Sequence, residues 1–97
     1  GINFQNGELP EKASDQAEQA LDTIEQALEQ ANSGMHDVVR ARVFLTSPEH
    51  VPSVSAVLKR RIGFTRPANT TVCTALAVPD CLVEIEVEAR IGSGTPR

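Results

Sequence analysis

The segment from Ser14 to Ala31 constrains the fold of this 97-residue chain more than any other. Its apolar residues recur at steps of three and four, which places them on one face of a helix, while Glu, Asp and Gln fill the outer face. They are Ala17, Ala20, Leu21, Ile24, Ala27, Leu28 and Ala31. Ser14 suits the N-cap position, and Asn32 to Gly34 predict the end of the helix. Because only one face is apolar, this helix must pack against another layer of secondary structure.

Three later segments alternate between apolar and polar residues with the two-residue period of a β-strand. The first is HDVVRARVFLTS, residues 36–47, the second spans Thr70–Val78, and the third is LVEIEVEA, residues 82–89. In the second segment the bulky side chains occur only at even-numbered positions, and the odd-numbered positions are small or polar. The intervening stretch, Pro79 to Cys81, predicts a hairpin turn between the last two strands.

A second helix is predicted between the first two strands. Ser47 and Pro48 form a start signal, and Gly63 marks the end of the helix. Pro52 is an alternative start, because proline is tolerated in a first helical turn. The order helix, strand, helix, strand, strand predicts an α+β fold in which both helices cover one face of a mixed sheet. The helix between the first two strands predicts a right-handed crossover.

The opposite face of this sheet is predicted to be polar. It would carry Arg40, Arg42, Asn69, Thr71, Cys73, Glu84, Glu86 and Glu88. Rows of Arg and Glu on neighbouring strands form cross-strand pairs, so the last two glutamates are expected to pair with the two arginines. Two interpretations of this face remain open. It is either a solvated surface or a surface that faces other subunits, with a ligand between them.

Charge is unevenly distributed along the chain. Residues 1–31 contain seven acidic residues against Lys12 alone, whereas residues 32–66 contain six basic residues against two acidic ones. The net charge of −4 argues against nucleic-acid binding, which needs a basic surface. The basic middle segment is interpreted as a local anion site or as half of a subunit contact. Arg60 and Arg61 are expected to form a solvated helix end.

No apolar run approaches the roughly 18 residues of a membrane span, and no secretory leader is recognisable, so a cytoplasmic protein without membrane contact is expected. Cys73 and Cys81 are expected to be free thiols, since two cysteines make no disulfide framework. No His or Cys lies near them at metal-ligand spacing, so no metal site is predicted.

Five segments together resemble one known family. NGELP, a helix ending in AN-SG, HDVVRARVFLT, RPANTTV and LVEIEVEARIG occur in the order and spacing of the RidA/YjgF family of reactive intermediate deaminases, also called L-PSP-type endoribonucleases. The resemblance implies a chorismate-mutase-like α+β fold assembled as a homotrimer, with a central barrel of sheets and ligand clefts at the subunit interfaces. It covers residues 1–92 as one domain and leaves 93–97 as a flexible tail. It also implies two further strands before Gly1.

The resemblance also implies the reaction and the site. Family members hydrolyse small enamine and imine metabolites to oxo compounds and ammonia without a metal or an organic cofactor. An arginine after Pro-Ala binds the substrate carboxylate there, whereas this chain has Asn69. Glu84 matches the glutamate that positions water, and Thr71 matches a small polar residue of the cleft. Arg66 is expected to point away from Asn69 on strand parity, which leaves the site without its cation.

Three functions follow from this comparison of residues. The first is imine or enamine hydrolysis by Glu84, with altered substrate choice because Asn69 and Thr71 would bind the substrate without a charge. The second is a non-catalytic trimer that binds a small metabolite or a partner protein. The third, endoribonuclease activity, rests on the family name, and His36 and His50 form no catalytic pattern with lysine and carboxylate in the sequence.

Overall fold

A computed structural model describes residues 9–95 of the protein. NGELP and the end of the expected tail, residues 96–97, lie wholly or partly outside this range. The described elements follow the predicted order. They are helix α1 (Ala13–Gln30), strand β1 (Val38–Leu45), helix α2 (Val51–Ile62), strand β2 (Ala68–Cys73) and strand β3 (Val83–Ala89).

The helix ends follow local chemistry, with one correction at the first helix. Lys12 occupies the N-cap of α1 and gives no side-chain cap, so Ser14 lies inside the first turn and the predicted Ser14 cap is wrong. At the other end Asn32 adopts a left-handed φ of 60°, which asparagine tolerates better than most residues. A 3₁₀ turn begins at Pro48 before α2, and Pro52 lies in the first turn of the helix. Both start signals in the sequence are therefore used.

The three strands form a mixed sheet in the order β2–β1–β3. Strand β2 is parallel to β1 and is reached through α2, whereas β3 is antiparallel to β1. The predicted hairpin at residues 79–81 is wrong, because β2 and β3 lie on opposite edges of β1. The physical reason is that β1 supplies hydrogen-bonding partners on both edges, so residues 74–82 must pass from one edge of the sheet to the other.

The core lies between the two helices and one face of the sheet. Its fully buried side chains are aliphatic apart from Asp37, as a chain with three Phe and no Trp or Tyr requires. The largest of them are Leu21, Val38, Val43, Leu45, Val54 and Ile85. Both helices therefore cover the same face of the sheet, as predicted.

Gln16 fixes the connection between β2 and β3 to α1. Its buried amide donates hydrogen bonds to the carbonyl oxygens of Pro10 at 2.7 Å and Asp80 at 3.0 Å. Its side-chain oxygen accepts one from the N–H of Leu82 at 2.7 Å. All three partners of this side chain are backbone groups. The side chain of Gln16 thus satisfies backbone groups of the connection between β2 and β3 that a hairpin would have paired with each other.

Asp37 fixes the residues that follow β3. It is only 1% exposed, and its carboxylate accepts hydrogen bonds from Ser33 Oγ at 2.7 Å and from the N–H of Gly94 at 3.2 Å. The Ser33 hydrogen bond, followed by those from the backbone of Gly94 and Gly92, lowers the pKa of Asp37 from its ordinary value despite burial. Two residues of the expected tail, Ser93 and Gly94, are thus hydrogen-bonded to Asp37.

Candidate functional site

The strand register decides which candidate residues share a face of the sheet. Residues directly opposite each other on paired strands point to the same side. Asn69 pairs with Ala41 and Thr71 with Val43, so both lie on the helix side of the sheet. Glu84 pairs with Phe44 and lies on the other side, here called the open side. The structure brings Asn69 and Thr71 to one face and puts Glu84 on the opposite face of the same chain.

The prediction of one polar face containing all eight residues is therefore wrong for three of them. Asn69, Thr71 and Cys73 lie on the helix side, while the arginines and glutamates lie on the open side. The physical reason is that β2 lies at the edge of the sheet formed by residues 9–95 and all six of its residues are exposed. Val72 lies on the open side and is 41% exposed, so bulk does not mark the core-facing side of this strand.

A groove lies between α2 and β2 on the helix side. Its volume is about 220 Å³. It is lined by Ala41, Ser55, Leu58, Lys59, Ile62, Gly63, Arg66, Pro67 and Asn69, and is called the Asn69 groove below. Ala41, Leu58 and Ile62 are at most 7% exposed and form an apolar floor. Ser55, Lys59, Arg66 and Asn69 bring polar or charged groups to its exposed rim. Thr71 follows Asn69 on the same face but is not part of this lining.

Arg66 shares the groove with Asn69, so the prediction that it points away from Asn69 is wrong. Strand β2 begins at Ala68, and Arg66 precedes it in a left-handed conformation with φ 50° and ψ 52°. Its N–H donates a hydrogen bond to the carbonyl oxygen of Gly63 at 3.1 Å. Two-residue alternation applies only inside a strand, so it did not apply to this turn. Lys59, which no sequence pattern selects, lines the same groove.

The open side carries the cross-strand pairs that were predicted, in modified form. Arg42 donates to Glu88 at 2.6 Å and lies 4.0 Å from Glu86, which confirms the expected pairing for this arginine. Arg40 instead donates to the hydroxyl oxygen of Thr70 at 3.1 Å. The side chain of Glu84, at the other end of β3, forms no hydrogen bond or ion pair with residues 9–95 in this structure.

Ion pairs between the two helices join basic residues of the middle segment to acidic residues of the first segment. Arg61 Nη1 lies 2.6 Å from Glu18 Oε1, and Arg61 Nη2 lies 2.9 Å from Asp22 and 3.6 Å from Glu25. Arg60 also pairs with Glu18. The expectation of a solvated helix end is wrong for Arg61, which is 17% exposed because it faces the acidic surface of α1, whereas Arg60 is 60% exposed. These ion pairs join α2 to α1.

The cysteines and histidines provide no alternative centre. Cys73 is exposed and Cys81 is buried, and both are free. Burial raises the pKa of the Cys81 thiol, which donates a hydrogen bond to the carbonyl oxygen of Val83. His36 and His50 lie 3.6 Å and 3.9 Å from the carboxylates of adjacent residues. Within residues 9–95 no group of three His, Cys, Asp or Glu side chains is arranged to bind a metal, and none of the helices there is suited to cross a membrane.

The architecture, with two helices on one face of a mixed sheet, is shared with solved structures. A member of the YjgF/YER057c/UK114 family from Mycobacterium tuberculosis has a TM-score of 0.82 and 36% sequence identity, over 84% of this chain and 70% of that one. A candidate endoribonuclease from Thermotoga maritima has a TM-score of 0.84 and 31% identity, over 96% of this chain and 73% of that one.

Sequence comparison leads to the same group. The chain is 35% identical over 85 residues to the RutC family protein UK114 of Drosophila melanogaster, which is 88% of this chain and 62% of that protein. It is 32% identical over 76 residues to Protein HMF1 of Saccharomyces cerevisiae, 78% of this chain and 57% of that one. The chain thus spans about three fifths of the length of these two relatives. The Endoribonuclease L-PSP family model matches residues 1–91.

The chain therefore belongs to the Endoribonuclease L-PSP family, which is the RidA/YjgF family predicted from the sequence. The predicted α+β fold of that family is also confirmed.

Proposed function

We propose that this protein hydrolyses small enamines and imines to oxo compounds and ammonia. The observation that carries the proposal is the Asn69 groove, because it combines a buried apolar floor with hydrogen-bonding side chains at its rim. That combination is typical of a site for a small polar metabolite. Membership of the RidA/YjgF family supports the same reaction class.

The reaction makes modest demands on the protein. An imine carbon is already electrophilic, so the site must hold the substrate and place one water molecule beside it. The water oxygen adds to the carbon and its proton passes to a base. The base passes that proton to the imine nitrogen, which gives a carbinolamine. The carbinolamine hydroxyl then loses its proton as the C=O bond forms, and the C–N bond breaks as the nitrogen takes up that proton and leaves as ammonia. An enamine first becomes the imine by protonation at its carbon and loss of its N–H proton. We assign substrate binding to Asn69 in the groove and to Thr71, which lies outside its lining on the same face of β2, and the positioning of water to Glu84.

This assignment requires a second copy of the chain. Glu84 lies on the open side of the sheet and Asn69 on the helix side, so one chain does not combine them. We propose that Glu84 of a neighbouring subunit completes each groove in a homotrimer. The homotrimer is what the resemblance to the RidA/YjgF family implies, and Val72, 41% exposed beside Phe44, lies on the open side that such a contact would cover.

The test uses imines generated from several amino acids by an amino-acid oxidase, with release of ammonia and oxo acid as the readout. We expect Glu84→Gln to lower kcat by about 100-fold or more, the range for loss of a general base. Glu49→Gln is the matched control, since Glu49 is an exposed glutamate beside α2. Equal activity of both variants and the native protein would remove Glu84 from the mechanism.

A mixing experiment tests the shared site. Glu84→Gln and Asn69→Leu subunits, refolded together, form mixed oligomers in which some clefts contain both native residues. Recovery of activity above either variant alone is expected for a site between subunits. Activity that stays at the level of the single variants would contradict it, as would a monomer by light scattering at micromolar concentration.

A second candidate function is the binding of a small metabolite without catalysis. It is favoured by the uncharged Asn69 in the groove and by Glu84 on the opposite face. The Asn69→Arg variant separates the two functions. A native protein that hydrolyses no imine, together with an active Asn69→Arg variant, would identify a binding protein on a deaminase scaffold.

A further inference from the structure

Two cationic side chains in the Asn69 groove have no partner within the described part of the chain. Lys59 and Arg66 form no hydrogen bond or ion pair through their side chains with residues 9–95, although both line the groove. Of the arginines outside the groove, those at positions 42, 60 and 61 are ion-paired, Arg40 donates to the Thr70 hydroxyl, and Arg90 forms no side-chain hydrogen bond or ion pair within residues 9–95. No acidic residue is among those that line the groove. Two cations without a counter-ion at one cleft attract anions to it.

The backbone directs both side chains to this cleft. The left-handed conformation of Arg66, unfavourable for a non-glycine residue, is held between its hydrogen bond to Gly63 and the fixed φ of Pro67. The stem of Lys59 runs over Gly63, since a Cβ atom placed on that glycine would lie 3.4 Å from Lys59 Cγ. The stem of Lys59 and Gly63 are therefore neighbours at the edge of the groove.

We propose that Lys59 and Arg66 bind the carboxylate of a small anionic substrate in the Asn69 groove, and that the Asn69 amide orients it by hydrogen bonding. The inference rests on the proposed function in naming the substrate class, small 2-imino acids. Two cations on the wall of the groove thereby supply the charge that Asn69 lacks. Leu58 and Ile62 form a buried apolar floor beside the exposed Lys59, Arg66 and Asn69.

Arg66 also borders a larger cavity of about 550 Å³ that contains His36 and Ser93. Arg66 lines both cavities, but Lys59 and Asn69 line only the Asn69 groove. The groove is therefore the better anion site of the two. His36→Gln therefore serves as a control that alters the larger cavity and leaves the groove intact. Lys12→Gln is the second control, because it removes one positive charge from an exposed position far along the chain.

The direct test measures binding of pyruvate, the 2-oxo acid product of the simplest such reaction, by isothermal titration to the full-length protein. Lys59→Gln and Arg66→Gln should each raise Kd about tenfold or more, as expected for loss of a charge-assisted contact. Lys59→Arg should retain binding, and Lys12→Gln and His36→Gln should leave Kd unchanged. Thermal unfolding of each variant checks that its fold is intact.

Three outcomes overturn the proposal. They are an unchanged Kd in the Lys59→Gln, Arg66→Gln double variant, loss of binding in His36→Gln alone, and no pyruvate binding by the native protein. A merely structural role for the cations would lower the unfolding temperature of the variants without changing Kd, and it would overturn the proposal equally.

Kinetics separate this proposal from the function on which it rests. The double variant should raise KM for 2-imino acids and leave hydrolysis of an imine without a carboxylate unchanged. Equal KM values in native protein and double variant would leave the deaminase function standing and refute the cation pair. Absence of all imine hydrolysis would refute the deaminase function, while pyruvate binding lost in the double variant would still support the cation pair.

Discussion

Arg61 allows a stability prediction whose size follows from its contacts. Its guanidinium lies within 3.6 Å of Glu18, Asp22 and Glu25 on α1, and its side chain is 17% exposed. Exposed ion pairs contribute about 0.2–1 kcal/mol each. The side chain of Arg61 is largely covered, so each of its three ion pairs should lie towards the upper end of this range. Together they should contribute about 1–3 kcal/mol to the free energy of unfolding. Substitution Arg61→Met retains the apolar stem and also leaves three carboxylates close together on one surface.

The assay is urea unfolding at a fixed protein concentration, because any assembly would make stability depend on concentration. Arg61→Met should lower the unfolding free energy by about 1–3 kcal/mol, and the loss should shrink in 1 M salt as the remaining carboxylates are screened. Arg60→Met is the matched control, since Arg60 has one partner and a 60% exposed side chain. Equal losses for both variants, or a loss for Arg61→Met that salt does not reduce, would refute the reasoning.

Three further predictions concern the frame around the site. The Asp37→Asn variant should show a smaller change in unfolding free energy with pH than the native protein. Because the pKa of Asp37 is lowered in the folded protein, its carboxylate stabilises the fold above pH 3.8, and this stabilisation is lost as the pH falls through the folded pKa. The unfolding free energies of the two proteins, measured in an acid titration, should therefore converge at low pH. Gly94→Ala should destabilise the fold, because a Cβ atom there would overlap the carbonyl group of His36; an unchanged unfolding temperature would contradict this. Under native conditions a thiol reagent should modify Cys73 rapidly and Cys81 only slowly, as mass spectrometry of the labelled protein can show, because Cys81 is 4% exposed and its pKa is raised.

The elements were predictable from sequence because their patterns are local. The apolar stripe of α1 and the alternation in β1 and β3 each arise within one segment, so element type and order followed from them. Strand pairing is not local. The sequence next to Pro79 favours a turn, yet the turn does not determine which strand becomes the neighbour of β3. That choice depends on β1, which bonds along both edges.

The candidate site was only partly predictable for a related reason. Asn69 was found because its neighbours resemble a known motif, and Glu84 and Thr71 were found in the same way. The side of the sheet to which each points was not predictable, because both sides of an exposed edge strand contain small or polar residues. Lys59 and Arg66 were not identified as groove residues, since a helix end and a left-handed turn bring them together without a sequence pattern.

The central position of β1 has a consequence for biosynthesis. One neighbour of β1 is β2, completed at residue 73, and the other is β3, completed only at residue 89. A ribosome therefore exposes β1 with an unpaired edge for more than 40 residues of further synthesis, counted from Leu45 to Ala89. Unpaired strands are sites of misassociation while a nascent chain waits for its partners. A chain that ends before residue 83, through translational arrest or cleavage, lacks β3 and keeps one edge of β1 unpaired. We therefore expect such fragments to be bound by chaperones or degraded by proteases.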